Sequence, residues 1–452
     1  MKIKHKNIFA INFLTITFEV FLTFVILFGR TFTGIYIFGF RIGELLIGLL
    51  IMISSFTFYM YIKKNFQHIS KRVVEIQIAL VIIFLLSILL NGNNLTNLYI
   101  FKSSTFIWTT FFLYIGILYS KFAINKLRFF NILWMSTYIA YILSAVYFPD
   151  FIWNFFSEYS DKVDFIKGSD LLLIFVLTNY LNKKYSNNNY LYIFNFFISS
   201  GLLVPMLLFK SKGAFLPAFI YILFELLYSR KYFYKHRLST LLALFFTGFV
   251  FSFSTLYIWG DFSFSKNPQD TVVNIVSNLS STGEALQEIS EQKNTIDAFF
   301  SLYYNPLNNR LMSTEGMANW RLLIWQDVFW DLEKKDKLLT GYGYSSIIPA
   351  MEQRDRQGWD GENEHVHNFA INILARSGFV GFFLMILFYF FLVKEFLEKD
   401  RKNFNDILIF ILPILITASF DPALESVRFP LIFYTFLGIF YTDRNLKIFN
   451  KK

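Results

Sequence analysis

The sequence contains no cysteine, which excludes disulfides and thiolate metal sites. Histidine is scarce, with five in 452 residues, and only 16% of residues are charged. There is no G-x-x-x-x-G-K-[ST] phosphate loop, so nothing marks the chain as a nucleotide consumer. It also lacks internal repeats and low-complexity runs. What fills the chain instead is apolar: 55% hydrophobic and 21% aromatic residues, including 60 phenylalanines. Windows of about 20 apolar residues recur along nearly the whole length, each enough to cross ~30 Å of hydrocarbon. These windows predict an all-α polytopic membrane protein. The first apolar run, Ile8 to Phe28, is too long for a signal-peptide core and is expected to stay as a helix.

The pattern predicts about 12 transmembrane helices, at roughly 8–28, 35–62, 73–90, 98–119, 129–148, 170–181, 190–208, 214–228, 239–258, 369–392, 406–419 and 429–441. The net charge of +10 does not point to nucleic acid, because the basic residues gather in short loops between spans. With the N-terminus in the cytoplasm, the inner loops collect 24 Lys and Arg, whereas the short outer loops hold six. This bias predicts both termini inside. It divides the chain into transmembrane helices 1–9 (residues 1–259), a large extracytoplasmic loop (260–368) and transmembrane helices 10–12 (369–452).

Short turns suffice to join helices, and loops beyond about 15 residues are usually functional or disordered. The outer loop therefore carries the candidate chemistry. His5, His68 and His236 fall on the predicted inner side, leaving His365 and His367 as the outer histidines. Within the loop, the segment from Asn319 to Lys334 carries Trp320, Trp325, Phe329 and Trp330, which suits a helix at the membrane interface. Arg321 and Trp325 are four apart and share a face. Arg321 is either a snorkelling anchor or a guanidinium fork for phosphate oxygens.

His367 is expected to open the next span. Eleven residues are about three helical turns, which places Gly378 below His367 and Gly381 one turn further on, a small-residue face for helix packing. His365, His367, Glu362 and Glu364 offer an alternative reading as metal donors, although alternate-residue histidines suit a strand better than a helix. At the outer end of the seventh span, Lys210 and Lys212 break the inward bias and suit either lipid headgroups or a phosphorylated lipid. Glu19, Arg41 and Glu44 are expected at intramembrane depth as an ion cluster, with Arg41 also able to reach a ligand. Asp421, Glu425 and Arg428 at the last outer turn either orient a base or pair with one another.

These elements together resemble the O-antigen ligase and polymerase superfamily of polysaccharide-assembly enzymes. The resemblance rests on Arg321-x-x-x-Trp325, on Gly341-Tyr342-Gly343 and on His367-Asn368-x9-Gly378-x-x-Gly381 after a long outer loop. It covers mainly residues 200–390 by motif and the whole chain by topology, a GT-C-like arrangement. Where the family commonly has Ser-Arg-Gly, this chain has Ser211-Lys212-Gly213, which keeps the charge but loses the bidentate fork.

The resemblance implies glycosyl transfer on the outer face of a bacterial inner (plasma) membrane, with no metal and no cofactor. The implied donor is an undecaprenyl-diphosphate-linked oligosaccharide, and further expected partners are membrane lipid and a chain-length regulator protein. By the same resemblance His367 activates the acceptor hydroxyl and Arg321 and Lys212 bind diphosphate. Lys210, Arg41, Trp325 and Asn368 are further candidates for substrate binding. The composition, AT-rich and aromatic-heavy, leans the reading towards a polymerase of repeat units. The alternatives are a ligase that moves finished polymer onto lipid A–core and, in another class, a flippase, which has no need of the long loop or its motifs.

Overall fold

The computed structural model describes residues 5–63, 70–90, 96–123, 126–163, 166–186, 188–259, 300–353, 356, 363–399 and 401–443. The expected loop residues 260–299 and Glu362 lie outside them. Helices stand at all twelve expected places. Among the described residues, eight are long and apolar enough to cross a membrane. The four that are not are Gly168–Tyr185, Lys212–Tyr228, Arg401–Ala418 and Arg428–Asp443. Two of them, Gly168–Tyr185 and Arg428–Asp443, are buried over most of their length. A helix surrounded by protein needs no apolar surface for lipid, so polar residues such as Asp170, Asn179 and Thr435 are tolerated there.

The opposite case is Ile42–Ile62, where Leu45, Leu49, Met52 and Phe56 form an exposed stripe at helical spacing. Such a stripe is stable against lipid and costly against water. The chain is an all-α, multi-pass membrane protein.

The chain splits into two compact units. The first comprises Met1–Gly43, Tyr119–Thr295 and Leu408–Thr417. In it, Gly34–Arg41 is not helical. Tyr36–Ile37 pairs with Phe40–Arg41 as a tight hairpin before the second long helix starts at Ile42. The expected second span therefore begins seven residues late, because Phe38 and Gly39 take positive φ at the hairpin tip.

Arg41 lies ahead of the helix and pairs with Asp161 and the Tyr36 hydroxyl, while Glu19 accepts from the Tyr119 hydroxyl at 2.6 Å. A short helix, Asp150–Tyr159, packs on the first helix through Phe156 and Phe28, 5.0 Å between ring centroids. Helices Asn189–Lys210 and Arg237–Trp259 touch where Gly201 lies under Thr247; a Cβ on Gly201 would sit 2.8 Å from Thr247 Cγ2. Close approach at small residues is how helices pack where lipid removes the hydrophobic drive.

The second unit comprises Glu44–Leu118, Ile296–Ile407 and Ala418–Lys452. It holds the described part of the outer loop: a hairpin of Leu302–Asn305 and Arg310–Ser313, the loop helix Gly316–Lys334, and irregular chain to His367. Its helices make one backbone-to-backbone contact at Gly116 and Gly438, where a Cβ on Gly116 would fall 1.9 Å from the Thr435 carbonyl oxygen. Gly116→Ala is expected to destabilise the protein by about 1–3 kcal/mol through overpacking, read as an earlier thermal transition in detergent.

Candidate active site

The helix Phe369–Lys399 breaks at Gly378, whose φ of 62° and ψ of −167° are not helical. A break frees carbonyls on one side and amides on the other, and each needs a partner. The segment 338–343 supplies them. Tyr342 N donates to Ala375 O at 2.8 Å and Gly343 N to Arg376 O at 3.1 Å, while Phe379 N and Val380 N donate to the carbonyls of Leu338 and Leu339.

Backbone packs directly on backbone here. A Cβ on Gly341 would sit 2.5 Å from the Arg376 carbonyl, and one on Gly378 would sit 2.2 Å from that of Leu339. Both glycines also have positive φ, which side chains resist. Gly341-Tyr342-Gly343 and Gly378 are thus two halves of one joint.

This joint corrects the expected glycine face. Gly378 does admit a close neighbour, but the neighbour is a loop, and no continuous helix links it to His367. Gly381 is bare for another reason: its Cβ would meet the Ser377 side chain at 2.1 Å. The break brings Ser377 over Gly381.

Arg376 and Tyr344 fasten the joint from the side. Arg376 donates to the carbonyls of Gly343 and Ser346 and to the Tyr99 hydroxyl. Tyr344 shares a hydrogen bond with Ser377. Burial pushes the Tyr344 hydroxyl up to about 12, against the lowering effects of Ser377 and Arg376. Sequence reasoning missed both residues; the one available signal was an arginine inside an apolar span.

The loop helix turns its apolar face to protein. Ile324, Val328 and Leu332 pack with Ile348, Met351 and Val366, so this face is a core contact. Glu315 caps its start by accepting from Ala318 N at 2.6 Å. Trp325 Nε1 donates to the Val366 carbonyl at 2.8 Å, and the Trp320 ring lies 5.3 Å from that of His367.

Arg321 therefore stands between two tryptophans that hold the histidine segment. Its Nε is buried without a hydrogen-bond partner. Burial lowers the guanidinium pKa, opposed by the carboxylates of Asp421 and Glu315, and an arginine so placed remains a cation.

His367 does not open the helix, as expected from the sequence. It has φ 53°, and the helix begins at Phe369 behind Asn368, whose side chain accepts from Ile371 N at 3.1 Å. Asn368 is thus a helix cap. The His367 Nε2 lies 3.2 Å from Asn363 Oδ1.

His365 takes a different partner, with its Nδ1 2.9 Å from a Glu425 oxygen, and Glu364 pairs with Lys102 at 2.7 Å. These divergent partners disperse the proposed metal donors, and no group of three such residues that could hold a metal ion occurs among the described residues. At the last outer turn Glu425 therefore orients His365, Asp421 acts on Arg321, and the two acids do not share a helical face, because Pro422–Glu425 is a single 3-10 turn.

In the first unit, Lys210 ends one helix and reaches the Ile166 carbonyl at 3.5 Å. Ser211 then turns the chain, Lys212 starts the next helix, and the Gly213 carbonyl accepts from Thr417 at 3.2 Å. Gly168 lies against Ser211, 2.7 Å from it if given a Cβ.

Residues 171–386 match the O-antigen ligase family. The match supports membership of the O-antigen ligase/polymerase superfamily. The match spans Ser211-Lys212-Gly213, the loop helix with Arg321 and the His367-to-Gly381 element. No curated protein matches the chain. The match supports an O-antigen ligase/polymerase-like membrane enzyme and suggests a glycosyltransferase-like activity.

Gly378→Ala is expected to disrupt the joint. Activity should fall at least tenfold while helix content by circular dichroism stays near wild type, because the lost contacts are local. Unchanged activity would show that the break does not position the site.

Proposed function

We propose that the protein polymerises undecaprenyl-diphosphate-linked oligosaccharide repeat units on the outer face of the bacterial inner membrane. The observation that carries this reading is a buried arginine with an unpaired Nε, Arg321, on the helix whose tryptophans hold His367. In the proposed reaction an acceptor hydroxyl gives its proton to His367, and its oxygen attacks the anomeric carbon of the donor. The bond from that carbon to the diphosphate oxygen breaks, and the lipid diphosphate leaves with the electron pair. Negative charge grows on the departing phosphate, where a pre-placed cation stabilises the transition state. A histidine accepts a hydroxyl proton near neutral pH.

Arg321 takes the diphosphate in this scheme, and the reaction needs neither metal nor cofactor. Lys210 and Lys212 in the other unit are proposed to meet phosphate of the lipid carrier, Lys212 as a point charge in place of a fork. Both termini are proposed to lie in the cytoplasm, a reading that the bias of basic residues supports. The match to an O-antigen ligase favours a second reading, in which the same chemistry moves finished polymer onto lipid A–core.

Deleting the gene and restoring it with wild type or variants tests both readings on a gel of surface polysaccharide. His367→Ala should lower turnover by about 10²–10⁴ and Arg321→Ala by about 10²–10³. Single repeat units on the core identify a lost polymerase; bare core with polymer left on the lipid carrier identifies a lost ligase. A normal ladder with both variants would refute the site.

A further inference from the structure

A small cavity lies beside the histidine segment in the second unit. Its volume is about 20 Å³, and its lining includes Tyr99, Lys102, His365, Asn372, Arg376 and Glu425. A single water needs ~10–15 Å³ on a comparable measure, so the space suits one oxygen atom with its hydrogens. Lys102 and His365 are substantially exposed and form the mouth. Arg376 and Glu425, 3% and 8% exposed, form the buried part.

Both buried residues keep one group unpaired. One Glu425 oxygen holds His365 Nδ1, and the other, Oε1, has no partner. The terminal nitrogens of Arg376 are taken by the carbonyls of Gly343 and Ser346 and by Tyr99, leaving Nε without one. A buried donor and a buried acceptor left open are costly.

The two groups also define what completes them. An ionised carboxylate oxygen only accepts, and a guanidinium Nε–H only donates. One atom satisfies both if it donates one hydrogen and accepts another, which is the property of a hydroxyl. A phosphate oxygen has no hydrogen to give and meets the charge of Glu425; an ammonium has no lone pair for Arg376.

We propose that this cavity binds one hydroxyl of the acceptor saccharide, with Glu425 accepting its hydrogen and Arg376 donating to its oxygen. The proposal rests on the glycosyl-transfer reading above. His365, held by Glu425 at the mouth, is a positioning residue for that saccharide, and His367 keeps its role as base. The Lys102–Glu364 pair completes the polar rim through which a sugar enters. The cavity thus serves acceptor choice, a function separate from diphosphate binding at Arg321.

The test separates acceptor from donor. Repeat-unit oligosaccharide released from its lipid by mild acid has no diphosphate and serves only as acceptor. Its KM is measured with purified protein at fixed lipid-linked donor. Glu425→Gln replaces one acceptor oxygen with a donor, so KM for the released oligosaccharide should rise about 10- to 100-fold. At saturation kcat, and the KM of the lipid-linked donor, should stay within about twofold.

His365→Gln, at a half-exposed position, should raise the same KM, which keeps the proposal testable where Glu425→Gln fails to fold. An unchanged acceptor KM in these variants means the cavity holds only a structural water and overturns the proposal. A rise confined to the donor KM overturns it as well.

If wild type turns over no released oligosaccharide, saturation-transfer NMR of that oligosaccharide on wild type and Glu425→Gln decides instead. Binding lost in the variant supports the pocket, and equal binding or none refutes it. His367→Ala, which should lower kcat and leave this KM alone, reports separately on the reaction itself.

Discussion

The second unit depends on an exchange of backbone hydrogen bonds. Where the helix stops at Gly378, its stranded carbonyls and amides are taken up by residues 338–343. An unpaired peptide group away from water costs as much as a lost hydrogen bond, so the break and the loop that heals it stand or fall together. Once joined, they fix the end of the outer loop to the start of a long helix. Arg376 and Tyr344 are held by the same junction, and the loop helix closes on it through Ile348, Met351 and Val366.

Much of this architecture was legible in the sequence because lipid imposes a simple rule: long apolar runs become helices. Helices stand at each expected place, and Arg321, Trp325 and His367 belong to one assembly, since Trp325 holds the residue before His367. The errors came where hydropathy is silent. Phe38 and Gly39 are as apolar as their neighbours, yet their positive φ turns the chain into a hairpin and carries Arg41 to Asp161.

Gly378 shows the same limit from the other side. Spacing along an ideal helix put it under His367, and a count of residues cannot reveal that the helix does not reach that far. The glycines were noticed for the right property, absence of a Cβ, and assigned the wrong neighbour. Arg376 and Glu425 were harder still. Their roles come from contacts with residues far along the chain, such as Tyr99 and His365, and the local marks, an arginine inside an apolar span and an acid at the last outer turn, do not name those partners.

His365 and His367 flank Val366, whose side chain is buried and whose carbonyl is clamped by Trp325. That clamp works as a register pin. Neighbours on either side of a fixed residue in extended chain point the same way only if the chain does not twist, and here the φ of 53° at His367 twists it. The two rings are consequently sent to Glu425 and to Asn363. Inserting or removing one residue in this stretch would not merely change the length of the loop; it would put a histidine where Val366 is buried and clamped, and draw both imidazoles away from Glu425 and Asn363.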